Sequence, residues 1–230
     1  MAMTDDGAPA GGGASSGATG AAGGATTEFD LAALDPFESY RIMRSVVTPR
    51  PIALVTSLDE HGRVNAAPFS FFNAVAFDPC LVALGIEPRP DGSPKDTAHN
   101  IRFHGEFVVN IVDFALAEKM NICSTPLPPG ESEVALAGLT LTPSLGVAPP
   151  RIAEAPAHLE CVRHVTLQLG RRRDVVIGEV VRISVREGII DPETLRVDAA
   201  LLDTVGRLGG NLYTRTRDTF PLSRPDARHG

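Results

Sequence analysis

The stretch "PIALVTSLDEHGRVNAAPFSFFNAV" at positions 51–75 commits the chain to an antiparallel beginning. An apolar run at 52–57 is followed by a polar turn containing Asp59 and Gly62, and a second strand-like run covers 64–73. Two strands joined by so short a turn can only lie side by side and opposed. Further strand-like runs are "CLVALGI" (80–86), "EFVVNIV" (106–112) and two long ones at 158–169 and 174–185 around the basic turn "GRRRD". The wholly apolar 80–86 run reads as buried on both faces or bounding a barrel interior. Between these runs lie short helical patterns. One ends at the prolines of "LDPFESYRIMRSVVTPRP" (34–51), with Tyr40, Met43 and Val47 on one face. Another starts at Asp96 or Thr97 as N-cap and stops at Gly105, and a third covers 114–123. The Pro-, Gly- and Ser-rich segment 124–150 reads as a long excursion. Helices inserted among hairpins, rather than alternating with strands, predict a mainly β antiparallel barrel with short helices, an α+β fold.

Residues 1–27 are almost entirely Gly, Ala, Ser and Thr and have little to bury, so they are expected to form a flexible tail before one domain at 28–220, with a second tail at 221–230. The segment has neither the basic start and apolar run of a secretory signal nor the arginines of a transit peptide. No apolar run approaches the roughly 18 residues of a membrane span, and a net charge of −7 argues against a nucleic-acid footprint. Cys80, Cys123 and Cys161 are widely spaced and form no CxxC pair, which suits reduced, buried thiols in a cytoplasmic protein. Motifs for hydrolysis, phosphoryl transfer and Rossmann dinucleotide binding are absent. His99 and His104 fall on different helix faces, and His158 and His164 lie roughly 20 Å apart along a strand, so no metal site is expected.

Two polar features stand out. In "SPKDTAHNI" (93–101), Lys95 immediately precedes a helix start, where unpaired N–H groups and the helix dipole suit a phosphate, although on this stretch alone a capped surface helix with a solvated lysine is the more ordinary reading. In the first hairpin, Thr56, Ser57, Asn65, Ser70 and Asn73 lie among the small residues Ala66 and Ala67, with Pro68 interrupting the ladder. Such a surface lets a flat heterocycle approach the backbone, and it is also what a polar edge strand looks like.

The runs "RPIALVTSLDEHGRVNAAPFSFFNAVAFDPCLVALGI", "KDTAHNIRFHGEFVVNI", "GEVVRI" and "VGRLGGNLY", in that order, resemble the flavin reductase-like family of FMN-binding split barrels, over about positions 35–214. The resemblance implies a Greek-key split β-barrel, a homodimer, and FMN, with FAD as the alternative, bound non-covalently near the subunit interface. By matching positions it assigns flavin contacts to Thr56, Ser57, Asn65, Ala66, Ala67, Pro68, Phe69 and Ser70, and to Lys95, Asp96 and Thr97, with Lys95 facing the phosphate. Arg207 and Tyr213 fall where such proteins bring a C-terminal segment toward the cofactor. The implied activity is NAD(P)H-dependent flavin reduction, with NADH or NADPH as donor and a partner oxygenase or redox protein as acceptor. Because flavin carries the chemistry, no protein residue is assigned as catalytic. One position departs from the pattern. Short-chain members often carry Gly-Asp-His before the penultimate long strand, whereas here Asp174 in "GRRRDVVIGEV" is followed by Val175. The departure implies similarity to the flavoredoxin-like branch, in which bound FMN passes electrons between proteins. A binding module without redox activity is the third reading. Arg171, Arg172 and Arg173 read either as a solvated turn or as contacts for a cofactor phosphate or acidic partner.

Overall fold

In a computed structural model, residues 24–127, 132–170 and 173–223 are described. The chain divides into a unit ending at Ser39 and a larger one from Tyr40 onward. The described part of the first holds the start of helix α1 (Pro36–Val46). Asp35 Oδ1 accepts the backbone N–H of Phe37 and Glu38 at 2.7 and 2.9 Å, and Glu38 returns a bond to Asp35 N, so α1 begins with a capping box and a proline at its first position.

The larger unit is built from antiparallel strands. In chain order its elements are β1 (Arg50–Pro51), β2 (Ala53–Leu58), β3 (Val64–Phe69), β4 (Phe72–Phe77), β5 (Cys80–Ile86), α2 (Asp96–His104), β6 (Glu106–Ile111), α3 (Ala117–Ile122), α4 (Glu133–Leu136), β7 (Leu141–Thr142), β8 (Arg151–Ile152), β9 (Ala157–Leu169), β10 (Arg173–Val185), α5 (Ala199–Leu202), β11 (Val205–Arg207) and β12 (Tyr213–Arg215). Seven strands form one sheet in the order β3-β2-β6-β9-β10-β5-β4, while β1, β11 and β12 form a second and β7 and β8 a third.

The expected single strand at 64–73 is two strands. Its first half pairs with β2, its second half with β5, and these lie at opposite margins of the sheet. The break falls at Ser70 and Phe71, where the Phe71 carbonyl accepts the Gly85 N–H at 2.7 Å and draws β5 toward the far margin. Pro68 has no N–H to extend a ladder, but the turn to a new partner is a tertiary event that local pattern does not encode.

Two apolar layers flank β2. Alternation sends Ala53 and Val55 into the barrel interior with Phe69, Leu84, Phe107, Val109 and Val176, and α2 covers this interior with Ala98 and Ile101. Ile52 and Leu54 face the other way, against Ala66, Val112, Leu116, Met120 and Ile152. Each such large side chain contributes about 1.5–3 kcal/mol by its burial. Gly178 is required in the interior, because a Cβ there would lie 2.4 Å from Phe107 Cζ.

Helix α2 matches the expected span and ends at Gly105, whose φ of 75° is the left-handed conformation a C-cap glycine adopts. Its N-cap is Lys95, not Asp96 or Thr97, and makes no side-chain capping bond. Those two are pulled away by tertiary partners: Asp96 by Arg89 at 2.6 Å and Thr97 by Asn65. Helix α1 buries none of its residues, although Tyr40 packs edge-on to Phe71 with ring centroids 6.0 Å apart. Helix α3 is shorter than expected, because Asp113 Oδ1 accepts the Leu116 N–H just before it. Within the expected excursion lie α4 and the β7–β8 pair; residues 128–131 are outside the described ones. Cys123 and Cys161 are buried as expected, whereas Cys80 is exposed at the start of a marginal hairpin. Most of the first tail, residues 224–230 of the second, and Arg171 and Arg172 also lie outside the described residues; Arg173 pairs with Glu87 at 2.8 Å. Among the described residues no helix is long and apolar enough to cross a membrane.

Candidate functional site

The site grows from a sheet margin. Strand β3 has a partner on one side only, so every second residue turns its backbone outward. Ala66 is one of these: its N–H donates to Glu133 Oε2 of α4 at 3.4 Å. Pro68 shares that parity, which explains why a proline is tolerated where the ladder with β2 needs no donor. Asn65, Ala67 and Phe69 project from the opposite face toward α2. There Asn65 Nδ2 donates to Thr97 Oγ1 at 2.9 Å, and Lys95 Nζ lies 5.8 Å from the Phe69 ring centroid. The strand thus pins the helix start, and the early N–H groups of α2 lack a side-chain cap. Lys95 is exposed by surface area, yet enough protein surrounds its ammonium that desolvation lowers its pKa, against the pull of Glu87 and with the push of Arg89.

At the other end of β3 a cavity of about 150 Å³ gathers Pro68, Phe69 and Ser70 with Met120 and Ser124 near α3, and with Arg207 and Tyr213 from the C-terminal sheet. Arg207 and Tyr213 face each other across β11 and β12; the guanidinium lies 4.4 Å from the Tyr213 ring centroid and donates to the phenol oxygen and to Gly210 O. The fold therefore brings 68–70 together with residues about 140 positions later, and sets Lys95, Thr97 and Asn65 along the same strand.

Not every expected contact is presented. Thr56 and Ser57 are fully buried, and their hydroxyls are engaged internally: Thr56 Oγ1 donates to Pro150 O at 2.5 Å and Ser57 Oγ accepts Asn100 Nδ2 at 3.1 Å. Ala66 is fully buried, and Asp96 is turned to Arg89. Asp174 is buried in an ion pair with Arg102, and Val175 sits opposite Gly85 in the β5–β10 ladder.

Two neighbours escape sequence reasoning. Glu133 comes from the segment read as an excursion, and burial raises its carboxyl pKa against the backbone bonds it accepts. Arg50 lies between prolines and is only 7% exposed. It donates through Nε to Ser70 Oγ at 3.3 Å and through its terminal nitrogens to the carbonyls of Arg44, Val47 and Leu208. Desolvation lowers its pKa, opposed by Tyr40 and aided by Arg207 and Arg44. A proline-flanked arginine before an apolar strand is the only sequence sign of such a buried cation.

The flavin reductase like domain matches residues 43–207, a span that includes β3, α2 and β11. The chain belongs to the flavin reductase-like family. Its mainly β architecture is the split barrel that solved members of this family share. This flavin reductase-like chain is 39% identical to the 2-nitrobenzoate 2-nitroreductase of Pseudomonas fluorescens, with a TM-score of 0.81 and coverage of 87% of this chain and 98% of that one. With nitrilotriacetate monooxygenase component B of Bacillus cereus it shares 34% identity and a TM-score of 0.83, over 87% of this chain and all of the other. An uncharacterized protein of Deinococcus radiodurans is 44% identical over 204 residues, 86% of this chain and 89% of the relative.

Proposed function

We propose that this flavin reductase-like protein binds FMN along the margin of β3 and acts as an NAD(P)H-dependent flavin oxidoreductase. The observation that carries the reading is the convergence of Pro68, Phe69, Ser70, Arg207 and Tyr213 on one cavity at the end of the strand whose flank holds Lys95, Thr97 and Asn65. The donor set fits a flavin mononucleotide. The uncapped start of the nine-residue α2 and the Lys95 ammonium suit its phosphate, and the cavity wall of Pro68, Phe69 and Ser70 suits a planar ring edge. A bound flavin would supply two-electron redox chemistry between a reduced nicotinamide and an acceptor. The protein's part is to hold and orient. Lys95 neutralises phosphate charge, Asn65 fixes the Thr97 hydroxyl at the helix start, and the Arg207–Tyr213 pair walls the cavity end. Thr56 and Ser57 support the site from below through Pro150 and Asn100.

The outer surfaces of β9 and β10 leave Val162, Val165, Leu167, Leu169, Val181 and Ile183 exposed, which supports a homodimer as the working assembly. The oxygenase-component name of one relative supports a partner oxygenase as acceptor, and the nitroreductase name of another supports direct reduction of a small acceptor. A second reading, a carrier that keeps its FMN and exchanges electrons with protein partners, is favoured by Val175, which follows the buried Asp174 and pairs with Gly85 in the β5–β10 ladder at the position where the resembling short-chain members often carry a histidine. The test is an anaerobic titration of FMN-loaded protein with NADH and then NADPH, following the visible flavin absorbance. Rapid bleaching by either establishes the reductase. Bleaching only by dithionite establishes the carrier, and failure to take up FMN or FAD rejects both.

A further inference from the structure

Four charged side chains are buried among the described residues: Arg50, Asp113, Glu160 and Asp174. The three acids each face an arginine, Asp113 with Arg186, Glu160 with Arg151 and Asp174 with Arg102. Among the described residues Arg50 faces no acid. Its described partners are three carbonyls and one hydroxyl, which take four of its five N–H groups and leave its charge uncompensated. Keeping a cation out of water without an opposite charge is costly, and a bound anion would recover part of that cost.

Beside Arg50 lies a cavity of about 380 Å³, within the roughly 300–1,000 Å³ typical of small-ligand sites. Met43, Val47, Phe71, Phe72 and Ala83 give it apolar walls, and its lining includes Arg44 and Arg50 but no aspartate or glutamate. Phe71 offers an aromatic surface with Arg50 Cζ 6.0 Å from its centroid. Ser70, the acceptor of the Arg50 Nε bond, also lines the smaller cavity at the end of β3.

We infer that this larger cavity binds a small aromatic carboxylate, its ring against Phe71 and Phe72 and its carboxylate at the remaining N–H of Arg50. Mostly apolar walls disfavour a highly charged ligand, and the buried guanidinium of Arg50, with Arg44 in the same lining and no carboxylate there, selects an anion over a neutral molecule of the same shape. The shared Ser70 places such a ligand one side chain from the flavin, as an electron acceptor or an acceptor analogue; this placement rests on the flavin reading above, whereas the binding does not.

The test is calorimetric titration of the flavin-free protein with benzoate and with benzamide, its neutral counterpart. Benzoate binding at least ~10-fold tighter than benzamide is expected, since a charge-assisted contact contributes about 1.5–3 kcal/mol. Equal affinities, or no benzoate binding, overturn the inference. Arg50→Gln should abolish the preference, and because this change disturbs a buried hub, Ala83→Leu provides a second variant that fills the cavity with Arg50 intact. Undiminished benzoate binding in folded Ala83→Leu protein places the ligand elsewhere and overturns the inference. FMN titration of the same preparations separates the two ideas. Intact FMN binding without benzoate discrimination overturns only the carboxylate site, whereas benzoate discrimination without FMN binding upholds that site and rejects the flavin reading.

Discussion

Removing the Lys95 ammonium is the sharpest probe of the flavin site, because its effect on folding and its effect on binding separate. Lys95 is exposed, and the described contact of its ammonium within the protein is the Phe69 ring, 5.8 Å away. An exposed cation–aromatic contact contributes only about 0.5–1 kcal/mol, so Lys95→Ala should unfold nearly where the parent does. Toward FMN the loss is larger: a charge-assisted bond to phosphate contributes about 1.5–3 kcal/mol, equivalent to a ~10- to 150-fold weaker Kd. Riboflavin has the same ring and no phosphate, so its affinity should be unchanged by the substitution. Fluorescence titration of both flavins against both proteins gives the four constants. The FMN advantage over riboflavin should shrink as salt rises, since an exposed charge is screened. Because desolvation lowers the Lys95 pKa, FMN binding should begin to weaken at a lower alkaline pH than an unperturbed lysine would allow. An unchanged FMN affinity, or an equal loss for FMN and riboflavin, would refute the phosphate assignment.

Other outcomes follow from packing and titration. Gly178→Ala drives a Cβ into the Phe107 ring and should cost about 1–3 kcal/mol, lowering Tm by about 2–4 °C per kcal/mol in thermal melts, and Phe107→Leu in the same chain should restore part of it. Burial pushes the thiols of Cys123 and Cys161 up to about 12, so a disulfide reagent at neutral pH should titrate Cys80 alone in folded protein and all three thiols after unfolding; fast labelling of more than one folded thiol would contradict that burial. Desolvation lowers the His158 pKa below its ordinary 6.5, so the unfolded chain takes up the proton first and stability falls as pH drops through that value. Urea midpoints compared at about pH 7 and about pH 5 should show this loss, and His158→Gln should reduce it.

The elements that sequence reading captured are those whose signals are local. The β2–β3 turn, the Gly105 stop of α2 and the long β9–β10 hairpin each rest on residues adjacent in the chain. What escaped is set by distant partners. Nothing near Ser70 announces that the strand will leave β2 and pair with β5, because that depends on Phe71 meeting Gly85. Thr56 and Ser57 look like ligand contacts by type, but their hydroxyls turn to Pro150 and Asn100, residues 94 and 43 positions away. Glu133 reaches β3 from a segment whose composition reads as loop, and Arg50 becomes a buried hub only once α1, Ser70 and Leu208 are assembled around it. For the candidate site, residue types were legible in the sequence; which face each presents was not.

The strand order also dictates a schedule. Strands β2 to β5 form both margins of the seven-stranded sheet, while its middle, β6, β9 and β10, is made later. Two hairpins therefore emerge from the ribosome early, each with an edge whose partner does not yet exist. At roughly 5–20 residues per second, about a hundred residues separate completion of β5 from completion of β10, so these edges wait on the order of 5–20 s. During that interval Val55, Leu84 and the rest of the future interior have no cover. The nascent chain, more than the finished protein, is where this barrel is exposed to misassembly, and a substitution that slows closure at Ser70 and Phe71 would reduce yield without changing the properties of the molecules that do fold.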